Sequence, residues 1–197
     1  MPPAAAAAAL AGVAPFTARM QPVALPGGAV AIRDEETGSP DSVRAMLEVL
    51  REAKARRRVL VFSDVSDSKA KPRKRQRDMG RIAAALAQAA IFVGDHAHHA
   101  AQAAIAAGMD PASCHAAATV ADAARVLERE LCEGDLVFLK GRATDHLSRI
   151  LFAQLGSVGC WKSRCPVRSV CDLCWNLRPG FDLGRALAAP VPPAGSA

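Results

Sequence analysis

Four cysteines near the end of the sequence have the residue type and spacing of metal ligands. Cys160, Cys165, Cys171 and Cys174 fall within fifteen residues, whereas the preceding 159 residues hold only two cysteines. A C-x-x-C pair closes a small chelate ring around a tetrahedral metal ion, and two further cysteines complete a set of four thiolates. The sequence therefore predicts a metal site in this segment.

The spacing leaves the identity of the metal open. A usual zinc ribbon has two C-x-x-C pairs, and only Cys171 and Cys174 form one here. A [4Fe–4S] cluster also takes four cysteines, and Trp161 and Trp175 would shield it from solvent. Zn²⁺ is the first choice and the [4Fe–4S] cluster is the alternative, with four reduced cysteines in a compact cap as the metal-free interpretation. A segment this short cannot bury an apolar core of its own, so it needs a cross-link such as a metal ion to stabilise its fold.

Three predicted strands end in polar or charged residues. Asp34 follows "AVAIR", Asp64 follows "VLVFS", and Lys140 with Gly141 follows "LVFL". In open α/β sheets ligands bind beyond the carboxyl ends of the strands. These residues either share one binding site or only open solvent-facing loops.

A basic segment covers residues 69–77. It contains Lys69, Lys71, Arg73, Lys74, Arg75 and Arg77. Such a segment could bind an anionic ligand, although a solvated loop is the favoured interpretation. No aromatic residue is interleaved with these charges, which argues against binding of nucleic acid.

Alternating strands and helices must position all of these residues. "QPVALPGGAVAIRD" predicts a hairpin, and Ser39-Pro40 predicts the start of a helix. Buried strands and helices then alternate, with helices expected at about 77–90, 96–108, 120–132 and 144–155. This order is typical of an α/β fold with a doubly wound, mostly parallel sheet. A small Cys-rich C-terminal cap follows the α/β domain.

Composition sets limits on the class of protein. Hydrophobic residues make up 51% of the 197 residues and aromatic residues only 4%, so we expect an aliphatic core; the net charge is +6. No run approaches the roughly 20 apolar residues of a membrane span, and the alanine-rich start lacks the basic region of a secretory signal. We expect a cytoplasmic protein, in which clustered cysteines bind metals more often than they form disulfides.

The order of these segments resembles the C-terminal domain of the Mur ligases, most closely the branch that adds D-alanyl-D-alanine to the muramyl tripeptide. The resemblance is carried by "FTARMQPV", "AVAIRDEETGSPDSVRAML", "VLVFSDVSD" and "EGDLVFLKGRATDHLSRIL". It implies a Rossmann-like domain at 16–157. We expect an N-terminal arm or the remnant of a preceding domain at 1–15, the four-cysteine cap at 158–182 and a disordered tail at 183–197.

The resemblance also implies roles for individual residues. Arg19, Asp34, Thr37 and Ser39 would face the nucleotide, and Asp64, Lys140, Gly141 and Arg142 would face the substrate. The reaction it implies is ATP-dependent amide formation through an acyl phosphate, in peptidoglycan and cell wall biosynthesis.

The sequence departs from the family pattern at informative positions. The family's paired aspartates are here Arg33-Asp34, and the printed sequence contains no G-x-x-G-K-[ST] phosphate-binding loop. We therefore expect ATP and Mg²⁺ to require a partner P-loop ATPase domain or subunit. The chain would be part of a longer ligase, would serve such a partner, or would be a non-catalytic metal-binding adaptor derived from a Mur ligase that docks a protein or an anionic partner.

Overall fold

The fold is described from a computed structural model, which covers residues 2–10, 13, 15–162, 165–167 and 170–191. Within these residues the chain forms six strands and seven α-helices. The strands are β1 (Gln21–Ala24), β2 (Val30–Asp34), β3 (Arg57–Phe62), β4 (Ala89–Val93), β5 (Cys114–Ala117) and β6 (Asp135–Lys140). The helices are α1 (Pro3–Leu10), α2 (Pro40–Glu52), α3 (Pro72–Leu86), α4 (Ala97–Ala106), α5 (Val120–Glu130), α6 (Ser148–Leu155) and α7 (Leu183–Leu187).

The six strands form one sheet in the order β1-β2-β6-β3-β4-β5. Only β1 is antiparallel to its neighbour, and the other strand pairs are parallel. The last strand in the described part of the chain, β6, lies between β2 and β3, where Lys140 is paired with both Asp34 and Phe62. The predicted α/β fold with a mostly parallel sheet is confirmed, and the register brings three strand ends to one level.

Alternation along the buried strands divides the core between the two faces of the sheet. Val59, Val61, Val137 and Leu139 lie on the face covered by α5 and α6. Leu60, Phe62 and Phe138 lie on the opposite face, which α2, α3 and α4 cover. Because successive side chains of a strand point to opposite faces, a central strand buried on both sides must be apolar throughout.

Helix α2 begins as the sequence predicts. Pro40 occupies its first turn, and the backbone N–H of Ser42 donates to the Ser39 hydroxyl at 3.3 Å. Val43, Met46, Leu47 and Leu50 are the residues that it buries. A serine cap typically contributes about 1 kcal/mol to helix stability.

Helix α3 begins and ends earlier than the predicted 77–90. Pro72 starts the helix directly after Lys71, since proline fits the first turn, where its missing N–H is not needed. Ala89 and Ala90 instead belong to β4, where both are buried. The prediction of a basic loop over 69–77 is therefore wrong for residues 72–77, which form the first turns of α3.

Small residues allow α3 and α4 to pack closely. A Cβ atom at Gly80 would lie only 2.1 Å from the Ala100 carbonyl oxygen, so a larger residue would force the helices apart. The buried residues of α4 are all alanines: Ala97, Ala100, Ala101 and Ala104. The scarcity of aromatic residues is thus matched by tight packing of small ones.

Helix α6 is shorter than the predicted 144–155. Residues Ala143–Asp145 form a 3₁₀ turn, and His146 follows with a left-handed φ of 51°, so the α-helix begins only at Ser148. The left-handed residue interrupts the helical path between the two segments.

The C-terminal segment folds back onto the face that carries α5 and α6. The backbone N–H of Gly159 donates to the Leu177 carbonyl at 2.7 Å, and that of Gly180 donates to the Ser157 carbonyl at 2.9 Å. Cys171 and Leu177 are buried in the core of this face. These hydrogen bonds hold the beginning and the end of the cap segment together.

The chain ends differ from one another. Helix α1 buries none of its residues. The predicted disordered tail 183–197 instead begins with α7, where Leu183 and Leu187 pack against the core and the Asp182 carboxylate caps the helix, accepting from the Arg185 N–H at 3.0 Å. Residues 192–197 lie outside the described residues. None of the helices in the described part of the chain has the length and hydropathy needed to cross a bilayer.

Candidate functional site

The ends of β2 and β6 hold a buried ion pair. The Lys140 Nζ atom lies 2.5 Å from Asp34 Oδ2, and the Lys140 side chain is fully buried. Burial lowers the pKa of Lys140, while Asp34 acts against this shift. The other oxygen of Asp34 accepts a hydrogen bond from the Met20 backbone N–H at 3.2 Å. Asp34 therefore joins the central strand to the segment that precedes β1.

Arg19 lies on this preceding segment and reaches the same strand end. Its Nη1 atom donates to the Thr37 hydroxyl at 2.8 Å, and its charge contributes to the lowered pKa of Lys140. The neighbouring Ala18 has a left-handed φ of 57°, and its carbonyl accepts from the Glu36 N–H at 3.2 Å. We call Arg19, Asp34, Thr37 and Lys140 the strand-end cluster. Arg19 itself is exposed.

Ser39 and Gly141 have visible structural roles. The Ser39 hydroxyl caps α2. A Cβ atom at Gly141 would lie 2.0 Å from Ser63 Oγ, and one at Gly38 would lie 2.8 Å from the Gly141 carbonyl oxygen. The loops after β2, β3 and β6 thus touch, which requires glycine at two contacts.

A second group of charged residues lies beyond the ends of β3 and β6. Both oxygens of Asp64 accept from the Arg75 guanidinium, at 3.0 and 2.7 Å. Arg142 donates to both oxygens of Asp145, at 3.0 and 2.9 Å, and lies 3.6 Å from Asp64. The Ser63 hydroxyl is 2.6 Å from Asp145 Oδ2. The alternating charges form a chain of ion pairs along the loop ends.

A groove opens beside this chain of ion pairs. Its lining includes Ser63, Gly94, Thr119, Arg142 and Asp145, from the ends of four parallel strands and the start of α5. Both a cationic and an anionic side chain face it. We call it the strand-end groove.

Sequence reasoning identified Arg142 and Asp64 but missed their partners. The position of Ser63 directly before Asp64, and of Asp145 three residues after Arg142, were the available local signals. Arg75 was assigned to the basic segment, where it is now seen to hold Asp64. Lys74 of the same segment pairs with Asp78 at 2.6 Å. Binding of an anionic ligand by residues 69–77 stays a prediction.

The four cysteines of the cap line one small cavity together with His146, Arg149, Val167 and Leu177. The Cys171 sulfur lies 3.3 Å from His146 Nδ1, and the Cys160 sulfur lies 3.9 Å from Arg149 Nη1. All four cysteines are free thiols, and burial raises the pKa of Cys171 to about 11. Among the described side chains, no three histidine, cysteine or acidic groups are arranged to hold a metal ion.

Arg33 connects this cap to the sheet. Its side chain is fully buried and binds both oxygens of Asp172, at 2.7 and 2.9 Å, and the Glu35 carboxylate at 2.8 Å. Its guanidinium also lies 4.9 Å from the ring centre of Phe152. Burial alone would lower the pKa of Arg33, but the two carboxylates raise it overall. Sequence analysis noted Arg33 only as a departure from a family pattern and missed Asp172.

The family model described as "Mur ligase, glutamate ligase domain" matches residues 18–143. No curated protein matches the chain.

The fold is similar to solved structures of MurF ligases. Two crystal structures of MurF from Acinetobacter baumannii give TM-scores of 0.60 and 0.58 at 21% and 19% identity, and cover 70% and 73% of this chain. MurF from Thermotoga maritima, solved in complex with ADP, gives a TM-score of 0.57 at 14% identity and covers 72%. The match covers 30% or 31% of the MurF chains, so this chain spans about a third of their length.

The predicted family is confirmed. The matched segment contains the sheet, the strand-end cluster and the second charged group except Asp145, whereas the cysteine cap lies beyond its end. Because the family model covers more than half of the sequence, this chain belongs to the Mur ligase family and carries its glutamate ligase domain.

Proposed function

We propose that this chain is the C-terminal domain of an ATP-dependent ligase that joins a carboxylic acid to an amino acid or peptide. The acid would be a peptidoglycan-like or related carboxylate. The observation that carries the proposal is the strand-end cluster, in which Arg19, Asp34, Thr37 and Lys140 meet within the segment that matches the family.

The proposed reaction has two steps. The substrate carboxylate attacks the γ-phosphorus of ATP, and ADP leaves as an acyl phosphate forms. The amine nitrogen then attacks the acyl carbon, phosphate leaves, and the nitrogen loses a proton to give the amide. ATP and Mg²⁺ would be bound by a P-loop domain, because the chain contains no phosphate-binding loop of its own.

The strand-end cluster is suited to contact the nucleotide from the side opposite the P-loop domain. Arg19 is exposed, so its guanidinium can reach phosphate oxygens and stabilise their charge in the transition state. Asp34 uses one bond from Lys140 and one from Met20. A carboxylate has about four acceptor positions, so Asp34 retains capacity for a ribose hydroxyl. Lys140 would hold the Asp34 carboxylate in position.

The strand-end groove is suited to the incoming amino compound. Its lining holds the Arg142 guanidinium and the Asp145 carboxylate, which bind each other, so an incoming ligand would exchange this ion pair for contacts of its own. An amino acid or peptide carries the complementary pair of charges, a carboxylate and an amine. Charge-assisted hydrogen bonds of this kind are roughly twice as strong as neutral ones.

A second candidate function is a non-catalytic adaptor domain that docks a partner through the cap. The observation in its favour is the use of Arg33, at the position of a family aspartate, to bind Asp172 of the cap. In this case the strand-end cluster would stabilise the domain without meeting a nucleotide.

Reconstitution with a P-loop ATPase domain tests the proposal. The chain is combined with that domain, as one longer protein or as two, and ADP formation is measured. The probes are a UDP-N-acetylmuramoyl tripeptide as the acid and D-alanyl-D-alanine as the amine, the pair joined by one of the structurally similar ligases. We expect ADP formation that requires both probes. A well-folded, associated pair that forms no ADP with these or related acids and amines would support the adaptor instead.

A further inference from the structure

The described part of the cap contains little regular secondary structure and little buried apolar surface. Between residues 158 and 182, within the part that the structure describes, the only regular element is the short 3₁₀ turn Cys171–Leu173. Two of its large apolar side chains are exposed, Leu173 by 84% and Trp175 by 74%. Among the described residues of the cap, Cys171 and Leu177 alone are buried in the core, and Val158 and Phe181 pack against it while partly buried. Apolar burial alone is therefore a weak basis for its stability.

The four cysteines are placed together although they are not bonded to each other. All four line the same cavity against α6, and all are free thiols. The cap buries little apolar surface and needs another source of stability. Four thiols in one cavity match the donor set of a structural metal ion.

We propose that Cys160, Cys165, Cys171 and Cys174 bind one Zn²⁺ ion as four thiolates. Binding would draw the sulfurs inward from their present positions, which do not form a metal site. The loops between the ligands are short, so closing them costs little entropy. Each cysteine releases one proton as its thiolate binds the ion.

Two buried side chains of the α/β domain complete the surroundings of this site. Arg149 is 2% exposed, and its Nη1 atom donates to the carbonyl of Lys162 at 2.9 Å beside the Cys160 sulfur. Its positive charge would offset part of the net −2 charge of a four-thiolate zinc centre. His146 Nδ1 is within reach of the Cys171 sulfur, and its Nε2 atom is buried without a hydrogen-bond partner among the described residues. Groups of this kind outside the ligand set orient the ligands and tune affinity.

The metal would also hold the cap against the sheet. Asp172 lies between two of the ligands, in the turn that the Cys174 N–H closes by donating to the Cys171 carbonyl at 3.0 Å. Fixing both cysteines on one ion fixes this turn, which presents Asp172 to Arg33. This role is independent of the proposed ligase activity.

Elemental analysis of the full chain tests the proposal. The protein is purified anaerobically without chelator, and we expect roughly one zinc per chain. Cys165→Ser and Cys174→Ser should each weaken zinc binding at least about tenfold. Cys132→Ser changes an exposed thiol outside the cap and should leave the zinc content unchanged. Less than about a tenth of an equivalent of zinc, iron with acid-labile sulfide in its place, or disulfides among the four cysteines would overturn the proposal.

A second measurement separates metal binding from misfolding of a variant. Zinc is removed from the wild-type protein, and amide hydrogen exchange is followed by mass spectrometry. We expect faster exchange across residues 158–182 and unchanged exchange in β3 and β4, since binding and folding of the cap are coupled. Addition of Co²⁺ should restore protection with the visible absorption of tetrahedral thiolate coordination. Unchanged exchange in the cap after metal removal would contradict a structural site.

Discussion

The Arg33 guanidinium binds both carboxylate oxygens of Asp172, a residue 139 positions later in the chain. The contact joins the second strand of the sheet to the middle of the cysteine cap. Arg33 is fully buried and Asp172 nearly so, so the two charges interact with little screening by water. This pair is one polar link between the cap and the α/β domain, and the bond from Arg149 to the Lys162 carbonyl is another.

Asp172→Ala should destabilise the protein by about 2–3 kcal/mol, because it leaves the buried charge of Arg33 with Glu35 as its remaining acidic partner. The free energy of unfolding is measured by chemical denaturation. Asp41→Ala is the matched control, since Asp41 pairs with Arg44 on the surface of α2, and should cost less than about 1 kcal/mol. Equal small losses in both variants would contradict a structural role for the buried pair.

Glu35→Gln tests how the second carboxylate beside Arg33 makes the stability of the protein depend on pH. Burial raises the pKa of Glu35, although Arg33 opposes the shift, and its Oε2 atom has no hydrogen-bond partner among the described residues. A carboxyl whose folded pKa is raised stabilises the protein below its unfolded pKa, about 4.3, and loses this contribution as the pH rises through the folded value. The unfolding free energy of the wild type relative to the variant should therefore fall from about pH 4 upward. A relative stability that rises over this range would show that the pairing with Arg33 outweighs burial.

Arg19→Ala should lower the turnover of the reconstituted ligase by about 10²-fold, as expected for loss of one donor to a transferring phosphate. Steady-state ADP formation is measured at saturating ATP. Arg44→Ala removes a comparable exposed arginine from α2 and should leave turnover unchanged. If both variants retain full turnover, Arg19 does not act on the nucleotide.

On its own the chain should bind ATP only weakly, because the printed sequence contains no G-x-x-G-K-[ST] loop whose backbone amides could hold the phosphates. Isothermal titration at millimolar ATP measures this directly. A micromolar dissociation constant for the isolated chain would require a phosphate site that the sequence does not predict.

Gly141→Ala should destabilise the protein by about 1–3 kcal/mol, since the new methyl group would overlap Ser63 and Leu147 at the strand ends. Thermal and chemical unfolding measure the change. Gly184→Ala in α7 is the control, because a Cβ atom there meets only ordinary contact distances and alanine favours a helix. Loss of stability in the control alone would contradict the packing at Gly141.

The periodicity of the sequence determined most of the elements and the fold class. Apolar runs and the Ser39-Pro40 signal depend on near neighbours, so β3, β6 and the start of α2 could be predicted locally. Asp34 and Lys140 were identified because polar residues at the ends of buried strands are visible in the sequence. The start of α3 was missed because charged residues without apolar periodicity were interpreted as a loop, although Pro72 is compatible with a first helical turn.

Only the tertiary structure decided which of these residues meet. The position of β6 between β2 and β3 brings Lys140 beside Asp34, although 106 residues separate them. Alternation along β2 places Arg33 on the opposite face of the sheet from Asp34, and the docking of the cap supplies Asp172 there. Strand order and the docking of the cap arise from long-range packing, in which each contact depends on the whole sheet. Local sequence specifies the type of each element but not its neighbours in the fold. The Lys140–Asp34 and Arg33–Asp172 pairs join segments that are neighbours only in the folded structure.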